Sequence, residues 1–130
     1  MLVYLDGRFV PEAEAVIPIT DRAFLLGDGL FETLRVHRGK IFRWAQHWER
    51  LGRGAKFLRF GALPGEPELQ KAATELIARN AARDAVLRIT ISRGSGPRGY
   101  SARGADTPRV VMTLHPTSAD ALTVEPPTWR

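Results

Sequence analysis

The sequence predicts an α+β, or mixed α/β, fold: an antiparallel-rich sheet with two helices on one face. Three observations carry this reading. Two short apolar runs flank Asp6-Gly7, a dipeptide that closes hairpins. At Trp44 the apolar spacing changes from alternation to steps of three and four, and from Ala85 it returns to strand-like runs. Strands, then helices, then strands is the order of a layered domain with helices packed against a sheet.

Residues 2 to 5 and 8 to 10 are the arms of the opening hairpin. After Pro18, a loop is expected from Thr20 and Asp21 through Arg22-Ala23-Phe24-Leu25-Leu26 to the turn Gly27-Asp28-Gly29. Residues 30 to 37 then alternate as a strand, with Phe31, Thr33 and Arg35 on one side and Glu32, Leu34 and Val36 on the other. Arg38-Gly39-Lys40 is a turn, and Ile41 to Arg43 returns.

Trp44, His47, Trp48, Leu51, Ala55 and Leu58 form the apolar stripe of a first helix. Gly52 and Gly54 each weaken it by about 1 kcal/mol relative to alanine, so packing must hold it. The second helix, roughly Glu66 to Asn80, has Pro67 and two acids, Glu66 and Glu68, in its first turn. Leu69, Ala72, Ala73, Leu76 and Ile77 are its buried stripe. Ala85 to Ser92 and Arg109 to Leu114 are strands separated by a glycine loop. His115 to Asp120 reads as a connection, and Leu122-Thr123-Val124 as a last strand.

At 130 residues and 44% hydrophobic, the chain supports one modest core. Its formal charge of +5 favours anions, although only three of the 19 basic residues are lysines. The absence of cysteine excludes disulfides and thiolate catalysis. No leader-like or membrane-length apolar segment is present, so a soluble, cytoplasmic protein is expected. His37 and His115 have no partner at metal-ligand spacing, and no metal site is expected. A noncatalytic anion or nucleic-acid binding module is a distant alternative, since aromatics are not interleaved with the basic loop as stacking platforms would be.

Three motifs carry chemistry. The first is Asp21-Arg22 followed by Gly27-Asp28-Gly29-Leu30-Phe31-Glu32. The second is His47-Trp48-Glu49-Arg50-Leu51, where His47 and Arg50 share a helix face. The third, Ser92-Arg93-Gly94-Ser95-Gly96-Pro97-Arg98-Gly99-Tyr100-Ser101, contains G-x-G-x-x-G after a strand. A dinucleotide site fails there on context, because no amphipathic helix follows to receive a pyrophosphate.

Taken together and in order, these motifs make the chain resemble the N-terminal half of a fold type IV pyridoxal-phosphate enzyme, the class IV aminotransferase family. That family includes aminodeoxychorismate lyase and the D-amino-acid and branched-chain aminotransferases. The resemblance implies pyridoxal 5'-phosphate as cofactor, held through its phosphate by Arg50, with Phe31 bordering the substrate pocket. It implies that Arg98 binds a substrate carboxylate with Tyr100 beside it, on a loop that reaches the neighbouring subunit of a homodimer. His47 is given a structural role.

The family's chemistry needs a lysine that forms a Schiff base, and none of Lys40, Lys56 or Lys71 matches its motif. Lys40 falls in the expected turn and the other two on helices, so all three read as surface residues and no catalytic residue is assigned. The expectation is an N-terminal α/β domain over residues 1–120, with 121–130 beginning the connection to a C-terminal domain. Alone it would be inactive. The Arg93 to Ser101 loop favours a lyase that releases pyruvate and 4-aminobenzoate in folate synthesis, whereas Glu32 is common to the transaminases.

Overall fold

The turn residues Asp6 and Gly7, both at positive φ, bring β1 (Leu2–Leu5) back as β2 (Arg8–Pro11) in the expected antiparallel hairpin. The computed structural model describes residues 1–97 and 102–117. After a 3-10 turn at Glu12–Glu14 come α1 (Arg22–Leu26), β3 (Gly29–His37), β4 (Lys40–Ile41), α2 (Trp44–Phe57), α3 (Glu66–Arg79), β5 (Ala85–Ser92) and β6 (Arg109–Pro116).

The six strands form one sheet in the order β2-β1-β6-β5-β3-β4, with every neighbouring pair antiparallel. Helices α2 and α3 lie on one face of it, over β3 and β1 respectively. Their stripes, led by Trp44 and Leu51 on α2 and by Leu69, Ala73 and Leu76 on α3, meet the inward residues of the sheet. Those are Leu34 and Val36 of β3, Leu87, Ile89 and Ile91 of β5, and Val110, Met112 and Leu114 of β6. Gly54, a weak point for the helix, lies where Leu30 presses on α2: a Cβ there would sit 3.0 Å from a Leu30 methyl. The close contact of helix and strand accounts for its tolerance.

Asn80 ties α3 to the sheet. Its side-chain oxygen accepts from the Leu2 backbone at 2.8 Å, and its amide donates to the Leu2 and Leu76 carbonyls. A helix end and an edge hairpin are thereby satisfied by one side chain.

Three local expectations change. Residues 22–26 form a helix rather than a loop, because Asp21 accepts from the Ala23 and Phe24 amides and caps it. Lys40 opens β4 instead of ending a turn, and β4 stops at Ile41 because Arg43 adopts φ 57° to start α2. Strand β6 continues through His115 and Pro116, which pair with Val86 and Ala85 of β5. Arg98, Tyr100, the strand expected at 122–124 and the boundary at 120 lie outside the described residues. No helix among those described is long and apolar enough to cross a membrane.

Candidate functional site

Alternation along β3 sends Glu32 to the helix-covered side with Leu34 and Val36. It is a carboxylate among apolar neighbours, only 7% exposed, and such a group needs a partner. Helix α2 supplies two. Arg50 Nε donates to Glu32 Oε1 at 2.5 Å and Nη2 donates to Oε2 at 2.9 Å, a two-point fork. His47, one turn earlier, brings Nδ1 to 3.2 Å from the same Oε2 and 3.3 Å from Arg50 Nη2. The spacing of three between His47 and Arg50 puts both against the one carboxylate.

The cluster is asymmetric. The Glu32 carboxylate is covered while the Arg50 side chain is 63% exposed. Arg50 Nη1 has no hydrogen-bond partner among the described residues, which leaves two of the five guanidinium N–H groups unengaged by Glu32 and His47. Below it, the space bounded by Leu34, Trp44, Trp48, Leu51 and Ile89 is closed even to water. A ligand of Arg50 therefore lies outside the core.

Phe31 is on the other side of β3, 53% exposed, with the Arg88 guanidinium 4.1 Å above its ring. Phe31 and Arg50 thus lie on opposite sides of the strand, but both flank one edge. β4 pairs with β3 only at Val36 and His37, which leaves residues 29–34 of β3 without a strand neighbour on that side among the described residues.

The turn of the opening motif is held by charge pairs. Asp28 Oδ2 accepts from Arg22 Nε at 2.9 Å and from Arg93 Nε at 2.7 Å. Arg93 also donates to the Leu58 and Arg59 carbonyls at the end of α2, where a cation suits the helix dipole. Asp21 accepts from Ser92 Oγ and from Arg109. These groups clamp the root of the glycine loop, and Ser92 and Arg93 are buried. An apolar cleft of about 280 Å³ lies nearby, lined by Ile17, Ile19, Phe24, Thr90 and Val111. It is on the sheet face opposite α2 and α3 and does not include Arg50.

Burial alone would raise the Glu32 carboxyl, but hydrogen bonds from Arg50 and His47 and their charge hold it below the ordinary carboxylate range. Asp28 is lowered in the same way, burial being outweighed by Arg93 and Arg22. As pH falls the unfolded chain protonates these groups first, so their contribution is present above the ordinary value of about 4 and lost as pH drops through the depressed folded values. Urea midpoints are expected to drop as pH is lowered from about 5, and Asp28→Asn to flatten that slope. A variant as acid-sensitive as the parent would remove Asp28 from the account.

Lys40, Lys56 and Lys71 are all exposed. Among the described residues no group of three or more His, Asp or Glu is placed to hold a metal ion. Arg50, chosen from its motif, sits in the cluster. Glu32, its buried partner, has a signal in the sequence as well, since an acid on the Leu34 and Val36 side of a strand calls for a cation.

Residues 29–129 match the family described as amino-transferase class IV. The chain belongs to the class IV aminotransferases. It is 34% identical over 116 residues to a putative branched-chain-amino-acid aminotransferase of Methanocaldococcus jannaschii, covering 89% of this chain and 40% of that protein. It is 31% identical over 126 residues to an aminodeoxychorismate lyase of Bacillus subtilis, covering 95% and 43% respectively. Among solved structures, the branched-chain aminotransferase of the archaeon Thermoproteus uzoniensis with norvaline superposes with a TM-score of 0.81 at 29% identity. That match covers 91% of this chain and 41% of the other. The class IV chain thus spans about 40% of the length of these relatives.

Class IV aminotransferases use pyridoxal phosphate, in agreement with the expected cofactor, and a further branched-chain aminotransferase of the same fold is solved with pyridoxamine 5'-phosphate. The residues here fit one part of the cofactor. Arg50 Nη1, which neither Glu32 nor His47 engages, has the chemistry that would pair with a phosphate.

Proposed function

We propose that this chain is the N-terminal domain of a pyridoxal-phosphate-dependent enzyme whose reactive lysine is carried by a C-terminal domain. The observation that carries the reading is the outward guanidinium of Arg50, held by a buried carboxylate at the open edge of β3. Pyridoxal phosphate, when bound, supplies an electron sink for charge at the substrate α-carbon.

The chain's own residues bind and orient. Arg50 holds the phosphate through charge-assisted hydrogen bonds. Phe31, stiffened by Arg88, borders the pocket and keeps water from one side of the ligand. Arg98 pairs with the substrate carboxylate and Tyr100 lies beside it. Residues 1–120 make the domain and 121–130 lead out of it, and the intact enzyme is a cytoplasmic homodimer.

The reaction we assign is the elimination that releases pyruvate and 4-aminobenzoate from aminodeoxychorismate. The Arg93 to Ser101 loop supports it, as does the relative of that name. Amino transfer to a branched-chain or D-amino-acid product is the second reading, favoured by Glu32 at Arg50's side. Pyruvate released from aminodeoxychorismate, measured against amino transfer to a 2-oxo acid, separates the two.

The phosphate assignment has its own test in the protein carried past Arg130 into its second domain. Arg50→Ala is expected to shrink the preference for pyridoxal phosphate over pyridoxal by roughly 10–100-fold, the range of a charged hydrogen-bond pair. Equilibrium binding followed by cofactor absorbance reads it. An unchanged preference would remove Arg50 from the phosphate site.

A further inference from the structure

We infer that Glu32 is a positioning residue: with His47 it fixes the Arg50 guanidinium so that Nη1 points outward to the ligand's anionic group. This deepens the reading of Arg50 as a phosphate ligand and rests on it.

Glu32 occupies a place where an apolar side chain would pack. Its neighbours on that side of the sheet are Leu34 and, on β5, Ile89, with Trp48 and Leu51 of α2 across the interface. Exchanging a covered ion pair for apolar groups of similar volume is often neutral or stabilising, so the stability that Glu32 contributes does not by itself call for an acid here. What the acid provides is direction. An exposed arginine on a helix samples many rotamers, and side-chain entropy opposes ordering it.

The guanidinium is planar, so gripping two of its nitrogens fixes where the third points. Glu32 takes Nε and Nη2 with its two oxygens, and the carboxylate is itself held on β3, a strand paired with β5 from Gly29 to Val36. His47 lies within 3.3 Å of both partners and closes the flank from which Arg50 Nη2 could swing. Nη1 is what remains. An anion arriving at the edge of β3 then meets a donor pair that has already lost its freedom, which is the general source of affinity in a preorganised site.

The charge of Glu32 acts against the anion, and the guanidinium it grips lies between the two and offsets it. Orientation is expected to outweigh what repulsion remains. In Glu32→Gln the new amide would present N–H groups to Arg50 Nη2, donor against donor, and release the fork.

The test is a double-mutant cycle in the protein extended past Arg130, reading the ratio of pyridoxal to pyridoxal phosphate dissociation constants by equilibrium absorbance. Arg50→Ala sets the scale. Glu32→Gln is expected to reduce the phosphate preference by about 5–10-fold, and the double variant to show no more than the loss of Arg50→Ala. In this chain alone, the Arg50 Nε–H resonance should be sharp in the parent and broadened in Glu32→Gln.

If Arg50→Ala lowers the preference while Glu32→Gln leaves it alone or adds its full effect to the double variant, the positioning role is refuted and Arg50 keeps its phosphate. If Arg50→Ala changes nothing, the underlying phosphate reading fails and the inference goes with it. Should Glu32→Gln not fold, Glu32→Asp retains the charge but is one methylene short of a two-point grip, and the same loss of preference is expected.

Discussion

Asp21→Ala is expected to lower the unfolding free energy by about 3–5 kcal/mol, a large share of the roughly 5–15 kcal/mol that separates folded from unfolded in a domain of this size. Asp21 is 2% exposed and serves four donors. Its Oδ1 accepts from the backbone amides of Ala23 and Phe24, which caps α1. Its Oδ2 accepts from Ser92 Oγ at 2.7 Å and pairs with Arg109 at 2.5 Å.

Alanine leaves all four without that acceptor, and Arg109, with only 18% of its side chain exposed, is left with Asp6 at 3.2 Å. Removing one member of a covered charge pair is far more damaging than replacing both, because the remaining charge stays desolvated. Asp21→Asn, which keeps the shape and an acceptor for the cap, should recover part of the loss. Urea unfolding at neutral pH measures it, and a change below about 1 kcal/mol would mean that water reaches these groups.

The second large effect is expected at Gly94. Its φ is +102°, and a Cβ there would stand 2.1 Å from the Thr107 carbonyl oxygen. Neither the strained φ nor a backbone oxygen yields cheaply. Gly94 also accepts from the Arg22 amide and donates to Ser92 Oγ, so the segment cannot move aside without breaking the clamp around Asp21.

Gly94→Ala is expected to lower stability by about 3 kcal/mol, or roughly 10–15 °C in Tm, since φ strain and overpacking add. Gly52 is the contrast. It is in α2 with open space around its Cα, and alanine there should be neutral or stabilising by up to about 1 kcal/mol. Calorimetry on the pair decides the matter: equal Tm values for the two variants would show that the Thr107 contact yields.

The physics of each element explains how far the amino-acid order could lead. Helix α3 and strand β5 carry complete signals within themselves. Pro67, Glu66 and Glu68 open the one with Leu69, Ala73 and Leu76 at helical steps, and the other is a run rich in β-branched and aliphatic residues. Alternation in β3 likewise separated Phe31, Thr33 and Arg35 from Glu32, Leu34 and Val36 without error.

Helix α1 has no such signal. Five residues are too few for a period, and its apolar Phe24, Leu25 and Leu26 are exposed in this chain. It is set by its cap on Asp21, whose other partners are about 70 and 90 residues away in sequence.

The same division holds at the site. His47, Arg50 and Phe31 stand in motifs that mark them, and the class IV family could be read from those motifs alone. Fold class, helix and strand content and the family were thus written in local patterns, which depend on near neighbours and on residue types at fixed spacing. Three facts depended on the closed fold: that Glu32 grips Arg50 across 18 residues, that Asp21 and Asp28 clamp the glycine loop, and that β1 lies beside β6. Each joins groups far apart along the chain, and such pairs exist only after the sheet has assembled and buried their charges together.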